Sequence, residues 1–181
     1  MHDNPQGPSD RAFALDDHAV IALSGPDAVA FAQAQFMSDV ALLGRGHWQW
    51  SGWLTPKGRV VALFMLLRIA DDLLWLVVPD ADGGALAASL SRFVFRSKVK
   101  VAVRDDLQVA ARFGPTTAVG RRLRGEPDPA VDLSRGDAER ERALRISTER
   151  APSDDTLRMR WRAADLRAGV PRLGEGQHEQ W

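Results

Sequence analysis

The 181-residue chain contains no cysteine. Disulfides, thiolate metal sites and cysteine nucleophiles are therefore excluded within it. It also lacks net charge, since 24 basic residues balance 24 acidic ones. Nucleic-acid-binding domains usually show a basic excess, so direct nucleic-acid binding is not expected. Its longest apolar run, Val60 to Leu67, is far too short to span a bilayer. The opening Met1-His2-Asp3-Asn4-Pro5 has no basic segment followed by an apolar one. No secretory signal is thus visible, and a cytoplasmic location without membrane association is the default expectation. Gly-x-Gly-x-x-Gly loops, Walker loops and Gly-x-Ser-x-Gly elbows are missing, which removes the common phosphate-cradle and hydrolase signatures. The four histidines, His2, His18, His47 and His178, are scattered, and none pairs at metal-ligand spacing, so no metal site is expected.

What remains is ordinary globular material, 45% apolar and 27% charged. Residues 1–12 are polar and rich in Pro, Gly and Asp, and read as a loose arm. Ala19 to Leu23 is a continuous apolar run that suits a buried strand. Ser24-Gly25-Pro26-Asp27 opens a helix, with Pro26 at its first position and Asp27 at the positive end of its dipole. That helix runs to about Gln35 and places Phe31 and Gln35 on one face. His47 to Trp53 alternates as a strand with Trp48 and Trp50 on one side. Thr55-Pro56-Lys57-Gly58 turns the chain, Val60 to Ile69 is a long strand, and Leu73 to Val78 is its hairpin partner. A helix over 85–95 and an alternating strand from Val99 to Val103 follow.

Beyond Asp106 the signals weaken. Leu107 to Phe113 reads as a strand, Thr116 to Leu123 as a short helix, Gly125 to Arg142 as loop, and Leu144 to Thr148 as an edge strand. Thr156 to Ala168 has helical spacing and is stopped by Gly169-Val170-Pro171. Strands and helices mix without strict alternation, which predicts an α+β fold with a largely antiparallel sheet.

Each candidate functional residue has a plainer reading beside it. Trp48, Trp50 and Trp53 can pack a core, or form a flat wall against a planar ligand. Lys57 and Arg59 can be a solvated turn, or cationic contacts for an anionic ligand tail. Trp161 can anchor a helix in the core, or lie against a heterocycle.

Four stretches together resemble the YgfZ family, folate-binding relatives of the glycine-cleavage aminomethyltransferase. They are Gly25-Pro26-Asp27-Ala28 through Phe31, Gln33, Gln35 and Asp39-Val40; Pro56-Lys57-Gly58-Arg59-Val60; Arg92-Phe93-Val94-Phe95-Arg96-Ser97-Lys98-Val99; and Trp161 with Ala168-Gly169-Val170-Pro171. The resemblance implies a discontinuous folate-binding domain over 13–105 and 153–181, with a small α/β domain over 106–152 inserted in it. It implies tetrahydrofolate as ligand, held by His18, Trp48, Trp50, Lys57, Arg59 and Trp161. It further implies an accessory role in assembling or repairing iron–sulfur clusters, with iron–sulfur proteins or their assembly factors as partners and effects on tRNA modification.

Two departures accompany the resemblance. The family's downstream Lys-Gly-Cys-Tyr-x-Gly-Gln-Glu segment is absent, so the chain reads as an N-terminal portion. His18 stands where family members can carry a second pterin-stacking tryptophan. A third comparison bears on catalysis. Where aminomethyltransferases carry acidic residues, this chain has Val61 and Ala62. One-carbon transfer needs a positioned acid, so a binder without catalytic residues is expected. A folate-dependent aminomethyltransferase and a ligand-free interaction domain are the alternatives.

Overall fold

The computed structural model describes residues 11–114, 118, 120–125, 130–134, 141–170 and 172–173. The expected arm therefore lies almost wholly outside the described residues, and so does much of the short helix expected from Thr116. The chain divides into two compact units: one from residues up to Asp16 with Leu107–Ala164, the other from Asp17–Asp106 with residues from Asp165 onward.

The larger unit is built on a five-stranded sheet, in the order β3 (His47–Leu54), β4 (Val60–Ala70), β5 (Leu73–Pro79), β2 (His18–Ser24), β6 (Lys100–Val103). Every neighbouring pair is antiparallel. The apolar runs of β4 and β5 mark strands covered on both faces. Leu66, Leu74, Leu76 and Val78 turn into one core cluster, while Met65, Leu67, Trp75 and Val77 are equally buried on the other side. Helices α1 (Ala28–Gln35) and α2 (Gly83–Ser91) pack on the first of these faces through Ala28, Phe31, Ala32, Leu86, Ala87 and Leu90. Burying such side chains contributes roughly 1.5–3 kcal/mol each for the larger ones.

The start of α1 differs from the sequence expectation. Pro26 precedes the helix, Asp27 is its N-cap residue, and the Asp27 side chain does not cap it. The carboxylate instead accepts the Lys98 backbone N–H at 2.6 Å, joining the start of α1 to the approach of β6. Gly25 completes this junction. Its φ is +135°, and a Cβ there would come 2.2 Å from the Lys98 carbonyl oxygen. At α2 the capping is regular: Asp82 Oδ1 accepts the Ala85 N–H at 3.0 Å.

The smaller unit carries a four-stranded antiparallel sheet, β1 (Phe13–Ala14), β7 (Gln108–Phe113), β9 (Arg142–Ser147), β8 (Ala130–Ser134), and most of helix α3 (Asp155–Arg167). Two expectations are corrected here. Part of the 125–142 stretch is strand β8, and the strand expected at an edge, β9, is internal because β8 covers its outer side. The Pro, Gly and Asp around β8 hid a strand of five residues. The unit also takes in segments assigned from sequence to the larger domain. β1 pairs with β7, and Trp161 of α3 packs on Phe13 and Phe113, so both chain segments belong with 107–152. Among the described residues no helix is long and apolar enough to cross a membrane.

The two turn glycines should respond differently to alanine. Gly25→Ala meets fixed backbone and should lower the urea-unfolding free energy by roughly 2 kcal/mol or more. Gly58→Ala has a φ of +80° but open space around it, and should cost only about 1 kcal/mol. Equal losses would contradict the Lys98 junction.

Candidate functional site

Two clefts lie among the described residues of the larger unit. The first, of about 460 Å³, is lined by Val61 at the start of β4, Asp80, Ala81 and Asp82 after β5, and Ala85, Leu86 and Ser89 of α2. Its walls are apolar except for Asp80, Asp82 and Ser89. The Asp82 carboxylate is occupied in capping α2, which leaves Asp80 as the distinctive group.

Asp80 is held in place from several directions. Its backbone is left-handed, with a φ of +58°, uncommon for a residue other than glycine. Its N–H donates to the Asp17 carbonyl at 2.8 Å. Arg172 grips its carboxylate bidentately, Nε to Oδ2 at 2.5 Å and the second guanidinium nitrogen to Oδ1 at 2.8 Å. The same guanidinium reaches Asp17 Oδ2 at 2.8 Å and Asp165 Oδ2 at 3.3 Å. Three carboxylates thus converge on one cation whose side chain is 11% exposed. Burial works to lower the Arg172 pKa. Its hydrogen bonds with Asp80 and the charges of Asp80, Asp17 and Asp165 outweigh that, so it is held above its ordinary value. The guanidinium fork suits this role because its donors lie in one plane and match carboxylate geometry.

His18 joins the cluster from behind. Its ring is 3% exposed, and Nδ1 lies 2.7 Å from Asp17 Oδ1. It pairs across the sheet with Pro79, one residue before Asp80. Its imidazole therefore buttresses Asp17 in the carboxylate–arginine cluster. A ring so enclosed offers little face for stacking on a ligand.

The second cleft, of about 350 Å³, is lined by Met37, Ser38, Trp50, Ser51, Leu63 and the Ala168-Gly169-Val170 segment. Polar contacts order one wall: Ser38 Oγ donates to Ser51 Oγ at 2.6 Å, and Gln49 Nε2 donates to Ser38 Oγ at 2.9 Å. Trp50 is half-buried and meets Trp48 edge-on at 6.2 Å. The three tryptophans of β3 therefore separate. Trp53 belongs to the core cluster and Trp48 is buried, while Trp50 lines a cleft.

Trp161 is placed otherwise than expected. It is 0% exposed in the smaller unit, edge-on to Phe13 and Phe113, with the Arg142 guanidinium 4.7 Å over its ring. Its faces are taken by protein, so in this structure it is a core anchor. The part of its motif that reaches a cleft is Ala168-Gly169-Val170. Lys57 and Arg59 are exposed on the β3–β4 turn, which is closed by Thr55 N–H to the Arg59 carbonyl at 2.8 Å. Along the chain Arg59 stands two residues before Val61.

Sequence reasoning missed Asp80 and Arg172. Asp80 sits in a Pro-Asp-Ala-Asp loop that reads as a solvated connection, and Arg172 is one arginine among many. Pro79-Asp80 at the end of an apolar strand and before a helix was the available signal.

No protein-family profile matches the chain. It is 24% identical over 165 residues, 89% of its length and 54% of the relative's, to a Haemophilus influenzae chain described only as an uncharacterized protein. It is 27% identical over 118 residues, 64% of its length and 36% of the relative's, to the tRNA-modifying protein YgfZ of Cronobacter sakazakii. The crystal structure of glycine cleavage system aminomethyltransferase T from Bartonella henselae matches with a TM-score of 0.67 at 18% identity, over 93% of this chain and 47% of that one. The chain spans about half the length, or less, of these relatives. Its fold is the mixed α+β arrangement of aminomethyltransferase T, as the sequence resemblance implied.

The Arg172 cluster makes a testable demand. Arg172→Met removes the common cation of three buried carboxylates and should cost roughly 3 kcal/mol at neutral pH. Urea unfolding at pH 7 checks it; a loss below about 1 kcal/mol would show that the carboxylates do not depend on Arg172.

Proposed function

We propose that this chain is the folate-binding part of a YgfZ-type accessory protein, with tetrahydrofolate in the cleft between Val61, Asp80 and α2. The carrying observation is the Asp80 carboxylate, fixed by Arg172 at the wall of an otherwise largely apolar cleft of about 460 Å³. A pterin is flat, apolar on its faces and edged with N–H donors. Val61, Ala81 and Leu86 suit its faces, and a carboxylate suits its donors. Arg172 holds both Asp80 oxygens through parallel N–H bonds and fixes the orientation of the carboxylate at the cleft wall. Lys57 and Arg59 would meet the anionic glutamate tail. His18, through Asp17, keeps the cluster oriented.

The biological role follows the same reading. Support in iron–sulfur cluster assembly or repair, with an effect on tRNA modification, is proposed from the likeness to the YgfZ relative and the fold. Binding without catalysis is favoured because Val61 and Ala62 carry no carboxylate where transferases have acids. One observation favours the transferase alternative: Asp80 supplies a carboxylate to the cleft from the loop after β5. Its bidentate pairing with Arg172 commits both carboxylate oxygens to that cation.

Titration with tetrahydrofolate should quench tryptophan fluorescence and release heat in calorimetry. Asp80→Asn should weaken binding about tenfold, the scale of a lost hydrogen bond to a charged group. Lys57→Ala and Arg59→Ala should each weaken it a few-fold. Trp161→Phe should leave affinity unchanged. No heat and no quenching at millimolar tetrahydrofolate would defeat the proposal, and methylene transfer from an aminomethyl donor would favour the enzyme.

A further inference from the structure

Zero net charge conceals an uneven distribution. Between Asp82 and Asp105 the chain has no acidic residue, yet it carries Arg92, Arg96, Lys98, Lys100 and Arg104. Arg104 is neutralised by Asp106, with two hydrogen bonds of 2.7 Å. The other four are exposed, and among the described residues none of them has an ion-pair partner. The nearby Asp27 carboxylate is engaged by the Lys98 backbone N–H.

Phe95 lies within this stretch, between Arg92 and Arg96, and is 92% exposed. It occupies the second position of a tight turn closed by Ser97 N–H to the Val94 carbonyl at 2.7 Å. Its φ is +36°. Positive φ at that position favours glycine or asparagine, and costs a bulky aromatic residue about 1–3 kcal/mol. Burial returns nothing, because the ring is in water. Arg96 lies 6.0 Å from the ring centroid. The turn is anchored on both sides: Phe93 meets Trp53 edge-on at 5.6 Å, and Lys98 is fixed at the Gly25–Asp27 junction.

A strained, exposed, pre-positioned aromatic ring in a stretch with four exposed cations has the composition of a base-stacking platform with phosphate-binding groups near it. We propose that the Arg92–Lys100 turn binds single-stranded nucleic acid, with one base stacked on Phe95 and the flanking phosphates met by Arg92, Arg96, Lys98 and Lys100. The whole-chain charge balance, which argued against such binding, averages over this surface. A lipid surface fits less well. Val94 is half-buried, and Phe93, though 48% exposed, has one side engaged edge-on by Trp53, so Phe95 is the one ring fully open to a bilayer and the surrounding charges dominate the surface.

The test is fluorescence anisotropy of a labelled twelve-nucleotide uridine oligomer with the whole chain at low salt. Binding should weaken about tenfold in Phe95→Ala, within the range for one stacked base. Replacing Arg96 and Lys98 by alanine should flatten the log–log salt dependence by about 0.7 for each phosphate no longer neutralised. Phe95→Gly separates function from folding: it relieves the strained φ, so the melting temperature should hold or rise while binding falls. Three outcomes would overturn the proposal: no binding at about 100 µM protein, equal affinity for a duplex, or binding indifferent to Phe95. Phe95-dependent binding to phosphatidylserine vesicles without oligomer binding would likewise overturn it and assign the turn to membranes.

Discussion

One cation holds the larger unit to its far ends. Arg172 binds Asp80 and Asp17 across 92 and 155 residues of sequence, and Asp165 close by. The chain enters this unit at Asp17, leaves the sheet at Asp80 and re-enters the unit at Asp165. Three passages of backbone are therefore fastened at one guanidinium. The arrangement is poised between gain and cost. Buried charges lose hydration, and only good geometry with several partners offsets that loss. Planar bidentate pairing with Asp80 meets the condition; a lysine could not supply it. Because Asp80 also lines the proposed ligand cleft, the interaction that closes the fold is the one that orients the cleft's carboxylate.

The sheet-building segments were legible because local pattern and tertiary role agree in them. β4 and β5 are apolar on both faces and covered on both faces. α1 and α2 begin close to where Pro, Gly and Asp place them. Legibility failed where a residue's role depends on partners far away in sequence. Asp27 reads as a helix-start residue, but its carboxylate serves Lys98. Trp161 reads equally as core or ligand wall, and only the convergence of Phe13, Phe113 and Arg142 decides between them. β8 is short and flanked by breakers, so its pairing with β9 outweighs its own weak propensity.

The candidate site shows the same division. Val61, on a strand set by periodicity, was located from sequence as the position where a transferase would carry an acid. The carboxylate that the cleft does contain comes from the loop after β5, where a Pro-Asp-Ala-Asp sequence looks like ordinary solvated turn. Its significance lies in its left-handed backbone and its arginine, and neither has a local signature. Composition misled in a related way, since a balanced total hid the acid-free segment between Asp82 and Asp105.

The order in which the chain is made gives the Arg172 cluster a temporal meaning. Asp17 and Asp80 leave the ribosome long before Arg172 does, and synthesis at roughly 5–20 residues per second makes that interval several seconds. From the completion of β5 onward the strands flanking these two acids are made and free to pair, while the charge that lets the acids be buried does not yet exist. The nascent sheet must keep that end open to water until Arg172 arrives. The guanidinium is then the last part of the larger unit's described core to come into place, and it closes a structure whose apolar centre is already assembled.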